Sequence, residues 1–113
     1  MDSAAQWYTK GFSLISEGRY EEAVGAFEKA IEIDGGHARA WFGKGLAFSI
    51  LTRYRDAISA FDKSIELEPE HPNSWYNKAV ALRGLGMEEE AVRALETARE
   101  LTHYGLPIAS MDV

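Results

Sequence analysis

Two histidines are the side chains of this chain best suited to bind a metal ion. His37 and His71 lie 34 residues apart, which is the period of a repeat in this sequence. Both lie close to acidic residues, namely Asp34, Glu68 and Glu70. Neither histidine has a partner at the i, i+4 spacing with which one helix holds zinc. Neighbouring repeats would also keep the two imidazoles too far apart to share an ion. We therefore expect no metal site and no cofactor.

The residues that serve covalent catalysis are equally sparse. The sequence contains no cysteine, which excludes a thiolate nucleophile and a disulfide. The serines are scattered, with no candidate base at a telling spacing, and neither a glycine-rich phosphate loop nor a nucleophile elbow is present. The sequence therefore indicates a protein that is not an enzyme.

The charge balance limits the partners that the chain can bind. Twelve basic and 18 acidic residues give a formal net charge of −6. Nucleic acids and anionic membrane surfaces both favour a basic partner, so we expect neither. The N-terminus lacks the basic start and apolar run of a signal peptide, and no apolar stretch approaches the roughly 18–20 residues of a membrane helix. We expect a cytoplasmic protein.

A 34-residue repeat organises the whole sequence. The segment RYEEAVGAFEKAIE at 19–32 returns as RYRDAISAFDKSIE at 53–66, and the first two copies are identical in 13 of 34 columns. A tryptophan and a lysine recur in every copy, at Trp7, Trp41, Trp75, Lys10, Lys44 and Lys78. A period of this length is typical of stacked repeat units. We place three units in a single domain (1–113) at 4–37, 38–71 and 72–105, followed by a short C-terminal tail at 106–113.

Each unit contains two amphipathic helical patterns. Apolar residues recur at helical spacing in both halves of a unit, which predicts six helices at roughly 4–17, 20–33, 38–51, 54–67, 72–85 and 88–101. Gly18 and Gly86 suit the left-handed residue that closes a helix, whereas Thr52 is a weaker closure. Because a lone helix pair cannot bury both its faces, each pair must stack on the next. The sequence thus predicts an all-α fold.

The columns of this repeat resemble the tetratricopeptide repeat (TPR) family. The residues of unit one that carry the resemblance are Trp7, Gly11, Gly18, Tyr20, Ala23, Phe27 and Ala30. Unit three departs from the family pattern at Ala79, Glu88, Leu95 and His103. The resemblance covers residues 4–105 and implies a right-handed superhelical α-α solenoid of three helix-turn-helix repeats. Because Glu88, Arg93 and Arg99 make the last helix charged, we expect the array to end there.

In this family, the first helices of successive units line a concave groove that binds peptides. Carried onto this chain, the candidate groove consists of Tyr8, Phe12, Ile15, Arg39, Phe42, Leu46, Ser49, Asn73, Tyr76, Asn77, Val80 and Arg83. One column of this groove is aromatic and consists of Tyr8, Phe42 and Tyr76, which we expect to be partly exposed. A second column is apolar and consists of Phe12, Leu46 and Val80, which could equally be core packing between helices. The resemblance implies a protein-interaction module or scaffold that binds another protein or peptide.

Two alternatives to peptide binding stay open at this point. The first is a self-assembling or homo-oligomeric repeat protein, whose tail carries Leu106, Ile108, Met111 and Val113 and could dock into a groove. The second, resting on family analogy, is a co-chaperone or assembly factor. Some family members clamp the acidic C-termini of heat-shock chaperones with Lys and Asn side chains. The matching places here hold Tyr8, Phe12, Gly43, Asn73 and Asn77, so we expect no such clamp.

Overall fold

Six α-helices joined by short turns form the computed structural model, which describes residues 2–104. The helices are α1 (Ala4–Ser16), α2 (Tyr20–Ile33), α3 (Ala38–Ile50), α4 (Tyr54–Leu67), α5 (Pro72–Gly84) and α6 (Glu88–Tyr104). No strand occurs in this range. The predicted all-α fold of six helices is confirmed, and α6 extends beyond its predicted end. The tail at 106–113 lies outside the described residues.

Each first helix of a pair (α1, α3, α5) ends in the same type of turn. Gly18, Thr52 and Gly86 occupy equivalent positions with φ of 76°, 60° and 80°. At the first turn, the Arg19 N–H donates to the Leu14 carbonyl at 2.8 Å, and both other turns repeat this bond. Two of the three positions are glycine because a side chain disfavours the left-handed conformation. Thr52 accepts the same conformation with a β-branched side chain.

The tryptophan column fastens each turn between units to the helix that follows it. The indole Nε1–H of Trp41 donates to the Gly35 carbonyl at 2.9 Å, and that of Trp75 donates to the Pro69 carbonyl at the same distance. The turn before α3 and the turn before α5 are thus held by the same bond. This bond accounts for the tryptophans at the start of α3 and of α5, since the indole combines a large ring with a hydrogen-bond donor.

The lysine column joins each unit to the preceding one. The Lys44 Nζ lies 5.2 Å from the centroid of the Trp41 ring and 3.3 Å from a carboxylate oxygen of Glu28 on α2. One repeat later, the Lys78 Nζ lies 2.7 Å from the Asp62 carboxylate on α4. The lysine stems pack along the tryptophan rings, and their charged heads reach back across the unit boundary.

Phe27 on α2 and Phe61 on α4 fill the space between neighbouring helices. Phe27 is completely buried, and a Cβ added at Gly11 or at Gly43 would lie 2.6 or 2.5 Å from its ring. Phe61 is likewise buried, and a Cβ at Gly45 would lie 2.7 Å from it. Glycine is needed at these places because the backbone itself contacts the ring. The helix spacing therefore depends on these contacts.

We predict that two glycine-to-alanine substitutions shift stability in opposite directions. Gly25 lies in the middle of α2 with no atom within 4 Å of an added Cβ, so Gly25→Ala should stabilise the fold by about 0.5–1 kcal/mol. Gly43→Ala should destabilise it by about 1–3 kcal/mol because the methyl group would overlap the Phe27 ring. Urea unfolding followed by circular dichroism measures both. Equal shifts of the same sign would contradict the close-contact argument.

We further predict that Thr52→Gly stabilises the protein. A non-glycine residue in the left-handed conformation costs roughly 1–2 kcal/mol. Glycine avoids this cost but loses more backbone entropy on folding, so the substitution recovers only part of it. The expected gain is about 1 kcal/mol in the free energy of unfolding, and Gly18→Thr is the matched substitution in the opposite direction. Thermal unfolding of both variants provides the measurement. A Thr52→Gly variant less stable than the parent would refute this account of the turn.

Candidate functional site

The first helices form the inner side of the array. α1 contacts α3 and α3 contacts α5, whereas successive second helices (α2, α4, α6) approach each other less closely. An array of helix pairs curves toward the side on which its helices lie nearer together. All twelve residues of the candidate groove lie on the first helices.

None of the twelve candidate residues is buried. Eight are half-buried, namely Tyr8, Phe12, Ile15, Phe42, Leu46, Ser49, Tyr76 and Asn77. Four are exposed, namely Arg39, Asn73, Val80 and Arg83. The structure thus leaves every side chain of the set at least partly accessible, and three of the four exposed members are polar, the exception being Val80.

The aromatic side chains at the α1 end of the groove are fixed by the core. Tyr8 and Phe12 pack edge to face with ring centroids 5.1 Å apart, and Phe12 packs in the same way on buried Phe27 at 5.0 Å. On α3, the Phe42 ring lies 5.8 Å from that of buried Phe61. Aromatic pairs of this geometry hold their rings in place. These side chains therefore serve both as packing and as a preformed surface.

The apolar column opens toward α5. Phe12 and Leu46 are half-buried, but Val80 at the equivalent position is 59% exposed. Ile50, one turn after Leu46 on α3, is 42% exposed. The apolar column is therefore part of the packing at α1 and an open apolar surface at α5.

The polar side chains of the groove differ in how they are engaged. The Asn77 side chain donates to the Asn73 carbonyl of its own helix at 2.8 Å, and the Arg83 Nε lies 3.3 Å from a carboxylate oxygen of Glu88. The Arg83–Glu88 pair is solvent-exposed and therefore weak. Arg39 makes no ion pair within residues 2–104. Both guanidinium groups therefore lie exposed on first helices, Arg39 on α3 and Arg83 on α5.

Two imidazoles lie beside the aromatic column, in a place that sequence reasoning missed. The His37 ring packs against Tyr8 with centroids 5.0 Å apart, and the His71 ring packs against Phe42 at 5.7 Å. His37 Nδ1 accepts the N–H of Ala40 at 3.1 Å and so caps α3. The sequence did contain a sign of this location, because each histidine directly precedes a predicted first helix.

His71 belongs to a buried chain of polar groups between units two and three. Its Nδ1 lies 3.2 Å from the Ser74 Oγ, which lies 3.1 Å from the Ser64 Oγ. Both serines are buried, at 0% and 2% exposure respectively. At the junction of units one and two, Ala30 and Ala40 occupy the two serine positions. The two junctions therefore have the same shape but different chemistry.

The structure offers no evidence for other types of site in the range 2–104. Among the side chains that the structure describes, which end at residue 102, no three of His, Asp or Glu come together as metal ligands. No helix among the described residues combines the length and hydrophobicity needed to cross a membrane. A bidentate contact from Arg19 lowers the pKa of Glu22, chiefly through the hydrogen bond, but this pair lies at the exposed α1–α2 turn.

The fold and the repeat columns are those of the tetratricopeptide repeat family, to which the chain belongs. One tetratricopeptide repeat model matches residues 4–37 and 38–71, and a second matches 60–93. No protein with a curated description matches the chain significantly. The family membership confirms the resemblance inferred from the sequence.

Solved structures of the same fold include proteins of several kinds. MamA is 25% identical with a TM-score of 0.87, over 91% of this chain and 60% of MamA. The type III secretion translocator chaperone SycD of Yersinia enterocolitica is 26% identical with a TM-score of 0.85, over 89% of this chain and 76% of SycD. The second TPR domain of Spaghetti (RPAP3), bound to the HSP90 peptide SRMEEVD, is 24% identical with a TM-score of 0.86, over 88% of this chain and 93% of that one. The chain thus spans about three fifths of the matched MamA chain.

We predict that the buried serine pair behaves as one unit. Ser74→Ala should destabilise the fold by about 1–3 kcal/mol because it leaves the buried Ser64 hydroxyl without its partner. The double variant Ser64→Ala/Ser74→Ala recreates the Ala30/Ala40 pair of the first junction and should recover most of that loss. A double-mutant cycle by urea unfolding measures the coupling. Additive losses would show that the hydrogen bond has no structural role.

Proposed function

We propose that this chain is a protein-interaction module that binds a short peptide segment of another protein in the candidate groove and has no catalytic activity of its own. TPR domains act mainly by binding, and the described residues present an apolar surface with charged groups at its rim. The binding surface is formed by side chains that the repeat positions at regular intervals.

The observation that carries the proposal is the exposed apolar surface on α3 and α5. Val80 and Ile50 expose 59% and 42% of their surface on the first helices, next to half-buried Leu46. An apolar patch with polar surroundings is typical of an interaction site. Covering such side chains with a partner removes them from water and stabilises the complex. An apolar side chain of the ligand would therefore be expected over Val80.

The two arginines suggest how the ligand is oriented. Arg39 and Arg83 lie on neighbouring first helices, in a chain whose net charge is −6. A guanidinium group binds carboxylate or main-chain oxygens through directed hydrogen bonds. Binding would thus be largely hydrophobic, with the arginines fixing the register of the peptide.

The solved relatives support a peptide ligand, whereas the side chains of this chain argue against an acidic chaperone tail. Structures of this fold include the RPAP3 domain with the peptide SRMEEVD and the TPR2B domain of yeast Sti1 in a pHsp70 complex. The places at which family members clamp acidic tails hold Tyr8, Phe12, Gly43, Asn73 and Asn77 in this chain. Because no lysine or arginine stands at those places, we propose a ligand that is apolar rather than acidic.

We predict that Val80→Glu weakens peptide binding about tenfold or more, since a charge replaces apolar contact worth about 1.5 kcal/mol. The probe is a peptide selected on the immobilised protein from a random 12-residue phage library, and the measurement is calorimetry. Val92→Glu is the matched control, because Val92 is a valine on α6 that is 44% exposed outside the groove.

Three outcomes of this experiment would contradict the proposal. The first is equal weakening by the two substitutions, and the second is failure to select any peptide. The third is binding of SRMEEVD as tight as that of the selected peptide, because it would indicate the acidic-tail recognition that the side chains argue against. Circular dichroism of both variants verifies that the fold is retained.

A further inference from the structure

Two imidazoles border the candidate groove at equivalent positions. His37 precedes α3 directly and packs on Tyr8, and His71 precedes α5 directly and packs on Phe42. Tyr8 and Phe42 are the first two members of the aromatic column. A ligand lying along that column would therefore pass beside both imidazoles, one per repeat.

The cap on α3 fixes the tautomer of His37. Its Nδ1 accepts the backbone N–H of Ala40 at 3.1 Å. A ring nitrogen that accepts a hydrogen bond carries no proton, so the proton of the neutral imidazole is on Nε2. The Nε2 of His37 is consequently a hydrogen-bond donor.

The buried serines fix the tautomer of His71. If Nδ1 donated to Ser74, the Ser74 hydroxyl would donate to Ser64, and the buried Ser64 proton would have no acceptor among the described residues. In the opposite direction, Ser64 donates to Ser74 and Ser74 donates to His71 Nδ1, so both protons are satisfied. Buried hydroxyl groups that lack a partner are costly, and this direction is therefore favoured. His71 also carries its proton on Nε2.

Both Nε2–H groups are open to solvent. Among the side chains of residues 2–102, every buried nitrogen or oxygen has a hydrogen-bond partner. The Nε2 of His37 and that of His71 make no hydrogen bond there, so neither nitrogen is buried. Each repeat boundary thus holds its imidazole by Nδ1 and by the neighbouring aromatic ring, and leaves Nε2–H for a further acceptor.

We propose that His37 and His71 donate from Nε2 to main-chain carbonyl groups of the bound segment, and that the segment is therefore extended rather than helical. The inference rests on the proposed function of the groove. A neutral donor suits a neutral carbonyl oxygen, and an extended chain leaves its carbonyls free, whereas a helix uses its own in internal bonds. An extended main chain presents carbonyl groups along its whole length, so it can offer an acceptor to each of the two donors.

Nitrogen NMR of the free protein tests the first half of the inference. Long-range ¹⁵N–¹H spectra recorded at alkaline pH distinguish the two neutral tautomers of each histidine. Both His37 and His71 are expected as the Nε2–H form, and single substitutions to asparagine assign the signals. A predominant Nδ1–H form at either residue would overturn the proposal.

Binding of a neutral probe tests the second half. The probe is a peptide without Asp or Glu and with an amidated C-terminus, selected from a random library on the wild-type protein. His37→Asn keeps a capping acceptor for Ala40 but loses the Nε2–H, so the fold should persist while the dissociation constant rises about three- to tenfold. The ¹⁵Nε2 signals of the wild type should shift on binding, and the Cα shifts of a labelled peptide should be those of an extended chain.

The outcomes separate this inference from the function of the groove. If Val80→Glu abolishes binding but His37→Asn leaves it unchanged, the imidazole inference is wrong and the groove stands. A helical bound peptide leads to the same conclusion. If no peptide is selected, or if Val80→Glu has no effect on the selected one, the groove proposal fails and the imidazole inference fails with it.

Discussion

The contact between a phenylalanine ring and two glycine backbones determines the spacing of this helix array. Phe27 has no exposed surface, and its ring lies where a Cβ on either Gly11 or Gly43 would come within 2.6 Å. One glycine belongs to the same helix pair and the other to the next, so a single ring sets the distance both within a unit and between units. The first helices are brought side by side as a result, with α1 against α3 and α3 against α5. A groove along these helices would therefore be a consequence of core packing rather than a separate structural addition.

The helices and their turns could be predicted from the sequence because a repeat displays its constraints several times. The column of glycine or threonine kept its left-handed conformation in every unit, and the tryptophan column kept its hydrogen bond to the preceding turn in units two and three. Exposure in the groove could not be predicted in the same way. Val80 shares a column with Phe12 but lies in different surroundings, since Phe12 packs on Phe27 whereas Val80 is 59% exposed. Periodicity identifies a position, but its burial depends on the side chains of neighbouring columns.

The two junctions between units are packed in the same way but differ in the polarity of their buried side chains. Ala30 and Ala40 meet no polar requirement, whereas Ser64 and Ser74 at the second junction need each other. Ser64 and Ala40 both belong to unit two, so a Ser64 face that packed against an Ala40 face would join two copies of the chain, and one buried hydroxyl would lose its partner at a cost of about 1–3 kcal/mol. The serine pair therefore favours the stacking of unit three on unit two over this pairing between chains. This specificity has a second consequence, because the same hydrogen-bonded chain reaches the imidazole at the border of the groove.

The outer side of α1 bears on whether copies of this chain stack end to end. Its side chains at the positions equivalent to Ala40, Gly43 and Ala47 are Gln6, Thr9 and Ser13, and all three are exposed. A second copy that docked there as α2 docks on α3 would bury these polar groups, and Thr9 would place a side chain where Gly43 leaves room for a phenylalanine ring. Both effects oppose such stacking, because unpaired buried polar groups and overpacking are each unfavourable. A homo-oligomer that avoids this stacking would use a different surface, and large apolar side chains are exposed both on the first helices, at Ile50 and Val80, and elsewhere, at Ile33, Leu67 and Val92.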